Sequence, residues 1–99
     1  MRVFREPIEF DWDKGNLDKN FTRHRVRNEE CEEVFFDPQK RVLRDPLHSG
    51  KEKRHIVLGK TKKQRILFIA FTTRRKKIRV ISARDLNKKE LHLYHEKES

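Results

Sequence analysis

Apolar and polar residues change rhythm several times along the chain, and each rhythm predicts an element. In IEFDWD, Ile8, Phe10 and Trp12 alternate with Glu9, Asp11 and Asp13, the period of a short strand with one buried face. From about Lys14 to His24, Leu17, Phe21 and His24 recur at helical spacing, with Asn16 and Asn20 on a neighbouring face, which predicts a short amphipathic helix. His24 ends that apolar stripe and is expected as a hydrogen-bonded core residue. Asn28 reads as the N-cap of a second helix, with Glu29 and Glu30 near its positive end and Cys31, Val34 and Phe35 as its apolar stripe. Asp37-Pro38 closes it, because a residue before proline avoids helical dihedrals.

The remainder reads mostly as sheet. KRVLRD is a short strand ended by Pro46, KRHIVLGKT a second, and RILFIAFTT a third. The third holds the unbroken apolar run Ile66 to Phe71, which predicts a central strand covered on both faces. RRKK is a hairpin turn into KKIRVISARD, so the last two strands pair antiparallel. A final helix starts at LNKKELHLY: Asn87 caps it, Glu90 completes a capping box, and Leu86 can staple to Leu91. Leu91 and Tyr94 are expected to face the sheet, with His92 and His95 outward. The fold class is therefore α+β, an antiparallel sheet flanked by about three helices, in one domain over residues 1–99.

The strand KKIRVISARD raises a chemical question, since arginine is rarely buried without a partner. Strict alternation puts Arg79 with Ile81 and Ala83 on one face and Arg84 with Ile78, Val80 and Ser82 on the other. Arg79, in mid-strand, needs either a carboxylate such as Asp45 or Asp85 or an open basic groove. The hairpin register decides its neighbour. A two- or four-residue loop sets Thr72 opposite Arg79, and a three-residue loop sets Phe71 there.

Composition adds a direction. Charged residues make up 42% of the chain and the formal net charge is +10. Residues 1–50 carry net −1 and residues 51–99 net +11. A basic half points to a polyanion, most often nucleic acid, over plain solubility or an acidic protein partner. One cysteine, Cys31, excludes an internal disulfide and reads as core packing. No apolar run approaches the length of a membrane span, so a cytoplasmic protein with no membrane partner is expected. His92 and His95 lack a spaced acid or cysteine to complete a metal site. No cofactor is expected: there is no glycine-rich phosphate loop and no nucleophile elbow.

DPLHSGKEKRH, from Asp45 to His55, gathers an acid, two histidines and several cations around a glycine. RNA can be cut without metal when a base takes the 2′-hydroxyl proton, an acid protonates the leaving 5′-oxygen and fixed cations stabilise the charge on phosphorus. His48, Glu52, Arg54, His55 and Arg79 are residue types that can fill these roles, although polar loops between strands are common for other reasons.

Four pieces, in order, carry a resemblance: FDWDKGNLDKNFTRHRV, EECEEVFFDP, DPLHSGKEKRHIVLGKT and RILFIAFTTRRKKIRVISARDLNKKELHLY. Together, over about residues 8–94, they resemble the BrnT toxins of bacterial toxin–antitoxin systems. The resemblance implies a RelE-like fold, a metal-independent endoribonuclease that arrests growth, and a BrnA-like ribbon-helix-helix antitoxin through which operator DNA is bound. By position, the family's recurrent polar residues fall on His48, Glu52, Arg54, Arg65, Thr72, Arg74, Arg79, Ser82 and Arg84. Arg79 and Arg84 are then expected to contact phosphate and the transition state, and Arg54, Arg65 and Arg74 the RNA backbone. Thr72 and Ser82 would orient phosphate oxygens, and Glu52 or His48 would transfer the proton. The chain departs from the family at Arg25, where glycine is common after the histidine, so the first helix is expected to end differently. A non-catalytic basic module that binds nucleic acid or antitoxin is the alternative.

Overall fold

The computed structural model describes residues 8–45 and 53–96. In chain order it contains α1 (Lys19–His24), α2 (Asn28–Val34), β1 (Arg41–Arg44), β2 (His55–Lys60), β3 (Ile66–Arg74), β4 (Lys77–Asp85) and α3 (Leu91–His95). The four strands form one antiparallel sheet in the order β1-β2-β3-β4, so each strand neighbours its successor. The α+β class and the antiparallel sheet with three helices agree with the sequence reading.

The core lies on one face of the sheet. Val57, Leu67, Ile69, Phe71, Val80 and Ala83 point into it and meet Val26, Cys31, Val34 and Phe35 from α2 and its approaches. Phe35 is the hinge of the packing, with its ring edge-on to Phe10 at 5.5 Å and to Phe71 at 5.0 Å. Cys31 is fully buried here, and burial pushes its thiol up to about 12, as suits a packing residue. Gly59 lets α2 approach β2: a Cβ there would lie 2.6 Å from Val34 Cγ1 and 3.0 Å from the Val34 carbonyl oxygen. The opposite face of β3, with Ile66, Phe68 and Ala70, is half-buried, so the central strand is fully covered on one face only. α3 closes one end of that second face, where Arg84 pairs with Glu90 and Lys60 lies over the Tyr94 ring.

The first helix inverts its sequence expectation. Residues 14–18 form turns and the helix proper begins at Lys19. Asn16 and Asn20 are buried, whereas Leu17 and Phe21 are exposed and so is His24. The cause is the outer edge of β4, whose backbone groups face no further strand along most of its length. Asn16 Nδ2 donates to the Val80 carbonyl at 3.0 Å, and the Ala83 amide donates to Asn20 Oδ1 at 2.9 Å. Buried backbone groups require partners, and two carboxamides supply them. Ahead of them, the expected first strand is reduced to a single parallel bridge, Phe10 to Ile78.

α3 keeps the predicted capping box, with the Glu90 amide donating to Asn87 Oδ1 and the Asn87 amide to Glu90 Oε1. Tyr94 is buried as expected, but Leu91 is exposed together with His92 and His95. The Tyr94 hydroxyl donates to Asp37 Oδ2 at 2.6 Å. Burial alone would raise the Asp37 carboxyl. Donation from Tyr94 and from the Gln39 and Lys60 amides holds it below its ordinary value instead, and one carboxylate joins the end of α2, β2 and α3.

Candidate active site

Two local features of the β3–β4 hairpin arrange its side chains. The first is the turn. Arg74 pairs with Lys77, leaving Arg75 and Lys76 as a two-residue loop with φ of 52° and 69°. Positive φ at both positions is the type I′ geometry that matches strand twist, here built without glycine or asparagine. The two-residue loop sets Thr72 opposite Arg79.

The second feature is a bulge. Ala70 pairs with Ser82 but Phe71 with Val80, so Ile81 is an extra residue on β4. Alternation shifts by one position there. Val80 and Ala83 both point into the core, and Arg79, Ser82 and Arg84 all leave on the other face, beside Thr72, Ala70 and Phe68. Strict alternation had separated the two arginines; the bulge reunites them.

Arg79 is held by acids from the other end of the chain. Its Nη1 donates to Asp13 Oδ2 at 2.8 Å, its Nη2 to Asp13 Oδ1 at 3.0 Å, and Asp11 Oδ2 lies 3.6 Å away. Those carboxylates, not Asp45 or Asp85, answer its charge, and only 14% of the side chain is exposed. The Arg79 hydrogen bonds, with help from the Gly15 amide, hold the Asp13 carboxyl below its usual value. Gly15 leaves room for this pair, since a Cβ there would lie 2.9 Å from Arg79 Nη2.

Arg84 lies flat over Phe68, with its guanidinium carbon 4.1 Å from the ring centroid. It donates to both Glu90 oxygens at 2.8 Å, which raises its own pKa and lowers that of Glu90. Ser82 is exposed between the two arginines in sequence and on their face. Thr72 is buried, and its hydroxyl donates to the Lys53 carbonyl at 2.9 Å, tying β3 to the segment that enters β2. Arg54 is half-buried just before β2, and Arg74 is exposed at the hairpin end of β3.

Arg65, expected as an RNA contact, is engaged within the protein. Its Nε and Nη2 donate to Asp85, Nη1 to Glu30 and to the Arg25 carbonyl, and Nη2 also to the His24 carbonyl. All five guanidinium donors are thus committed inside the protein. The Asp85 hydrogen bonds come first among the causes that raise its pKa. Arg65, just ahead of β3, ties the exit of α1 to α2 and to the end of β4, a role no local pattern announces because its partners lie 20 to 41 positions away from it in sequence.

His48 and Glu52 lie outside the described residues. His55 is described and turns away from the arginine face: it stacks on Phe71 with ring centroids 5.6 Å apart. Its Nδ1 is buried without a hydrogen-bond partner among the described residues. Burial, then Arg44 and Lys53, lower its pKa.

A strand face bearing two oriented arginines and two hydroxyl side chains, on a highly basic α+β domain, is suited to phosphate diesters. The class is met in a family comparison: residues 12–90 match the family model of ribonuclease toxins of type II toxin–antitoxin systems. Within that class the chain belongs to the BrnT toxin family. A comparison with curated proteins gives no match. Among the described residues no helix is long and apolar enough to cross a membrane.

Proposed function

We propose that this chain is a metal-independent endoribonuclease toxin that arrests growth and is neutralised by a BrnA-like ribbon-helix-helix antitoxin, through which alone it meets operator DNA. The single observation that carries this reading is the bulge at Ile81, which gathers Arg79, Ser82 and Arg84 on one strand face. An RNA strand laid along that face would meet both guanidinium groups in turn, with Ser82 between them in sequence to orient a phosphate oxygen. Arg54 and Arg74 flank the face as backbone contacts, and Thr72 shapes its floor by holding Lys53 in place.

In the reaction, the RNA 2′-oxygen attacks phosphorus and loses its proton to a base, while an acid protonates the departing 5′-oxygen. Glu52 or His48 supplies the proton transfer. Arg79 and Arg84 oppose the charge that grows on the phosphoryl oxygens, and positioned cations commonly contribute a hundredfold or more to such steps. Both arginines are already oriented by carboxylates, so the substrate meets fixed donors.

Arg79 also pins the Asp11–Asp13 segment to β4, so its removal has a structural cost as well. Arg79→Ala is expected to abolish growth arrest and lower RNA cleavage by at least about 100-fold, with a fall of about 2–6 °C in melting midpoint. Asp13→Asn breaks the same ion pair and is expected to lower the midpoint too, yet to keep cleavage within a few fold. Induced expression with transcript-end mapping, run on both variants and wild type, checks this. Equal loss of cleavage in the two variants would make Arg79 structural.

A further inference from the structure

The inverted α1 leaves a surface with a defined character. Leu17, in the turn ahead of α1, and Phe21, in α1, are 48% and 37% exposed. They cannot turn inward, because Asn16 and Asn20 hold that side of the segment against Val80 and Ala83. The guanidinium carbons of Arg25 and Arg27 stand 5.5 and 5.8 Å from the Phe21 ring centroid. Lys14, Lys19 and Arg23 are further exposed cations on the same short segment, and its one acid, Asp18, already accepts a hydrogen bond from Asn28 Nδ2. A half of the chain that is net acidic thus concentrates positive charge around its exposed apolar pair.

The chemistry of the occupant follows. A base could stack on Phe21 but would leave Leu17 without use, whereas an amphipathic protein segment fills both positions with apolar side chains and meets the cationic rim with carboxylates. The cleft beside exposed Phe36 is the weaker candidate, since Glu32, Glu33 and Asp37 in its wall already serve Trp12 and the Lys62 and Lys60 amides.

We infer that Leu17 and Phe21, rimmed by Arg25 and Arg27, are the docking site of an acidic, apolar segment of the antitoxin. This rests on the antitoxin pairing proposed above and not on catalysis. The site also explains how docking would neutralise. Asn16 and Asn20 grip β4 directly, and a helix is about 10 Å across, so a segment seated on α1 lies beside the strand that carries Arg79 and Ser82 and can block RNA from it.

The test uses the full chain and its full-length antitoxin, with affinity measured by calorimetry and fold by circular dichroism. The double variant Leu17→Ser/Phe21→Ser should fold, cleave RNA at the wild-type rate and bind antitoxin at least about 30-fold more weakly, as loss of a central aromatic anchor does. Arg25→Gln/Arg27→Gln should also weaken binding and reduce its dependence on salt. Unchanged antitoxin affinity in a folded double variant overturns the inference. So does a double variant that loses RNA binding or self-association while its antitoxin affinity stays at the wild-type value, because the patch would then serve a base or a second copy. Salt-independent wild-type binding overturns the acidic character of the segment. A wild-type protein that binds antitoxin tightly but leaves RNA intact defeats the ribonuclease reading alone.

Discussion

Arg25 occupies a conformation that suits glycine. It ends α1 with φ 57° and ψ 33°, its amide donating to the Phe21 carbonyl at 3.0 Å, the left-handed cap that glycine most often provides. The helix therefore ends where a glycine would end it, and the expectation of a different ending is not met. The residue tolerates the strained backbone because its carbonyl is fixed by Arg65 and its guanidinium rests over Phe21. A non-glycine residue in the left-handed region costs about 1 kcal/mol or somewhat more, and the ring contact returns about half of that. Arg25→Gly is accordingly expected to stabilise the fold by about 0.5–1 kcal/mol in urea denaturation. At this scale the sequence speaks plainly about residue type and poorly about partner. That Arg79 needs either a carboxylate or an open basic groove was legible; that a carboxylate answers it and that it is Asp13, 66 positions away, was not.

At the scale of elements, the four strands of the sheet were legible because β-branched and aromatic runs are bounded by clear turns, and the Asn87–Glu90 capping box formed, although the helix proper begins only at Leu91. Besides the first expected strand, which shrank to one bridge, two elements departed for physical reasons. Leu17 and Phe21 have the spacing of a core stripe, yet the unpaired edge of β4 draws the asparagines inward, since an unsatisfied buried backbone group costs more than an exposed apolar side chain. Alternation along β4 failed at Ile81, because a bulge is set by how two strands fit together and leaves no mark in the period of one. Gly59 carries no sequence sign of its reason, which is the approach of α2. Gly59→Ala should cost about 1–3 kcal/mol by overpacking against Val34, read as a lower urea midpoint with the slope unchanged.

Across the whole molecule, charge organises both stability and function. The carboxyls of Asp13, Asp37, Asp85 and Glu90 sit below their ordinary values, so the stability they contribute is complete above about pH 4 and is lost as pH falls through those lowered values. His55 acts earlier. Its pKa is depressed below 6.5, so the unfolded chain takes up its proton first, and stability should begin to fall as pH drops below 6.5 and keep falling to the depressed value. His55→Gln should flatten this part of the curve of melting midpoint against pH.

The bulged strand belongs to the half of the chain, residues 51–99, that carries the positive excess, and such an excess can gather RNA without regard to sequence. Whether this face also cuts is decided by incubating the purified protein with RNA in EDTA and identifying the new ends. Fragments with 2′,3′-cyclic phosphate or 3′-phosphate ends and 5′-hydroxyls are expected, and they should be lost in Arg79→Ala. RNA that is retained on a gel but stays intact, or cleavage that EDTA abolishes, would contradict it.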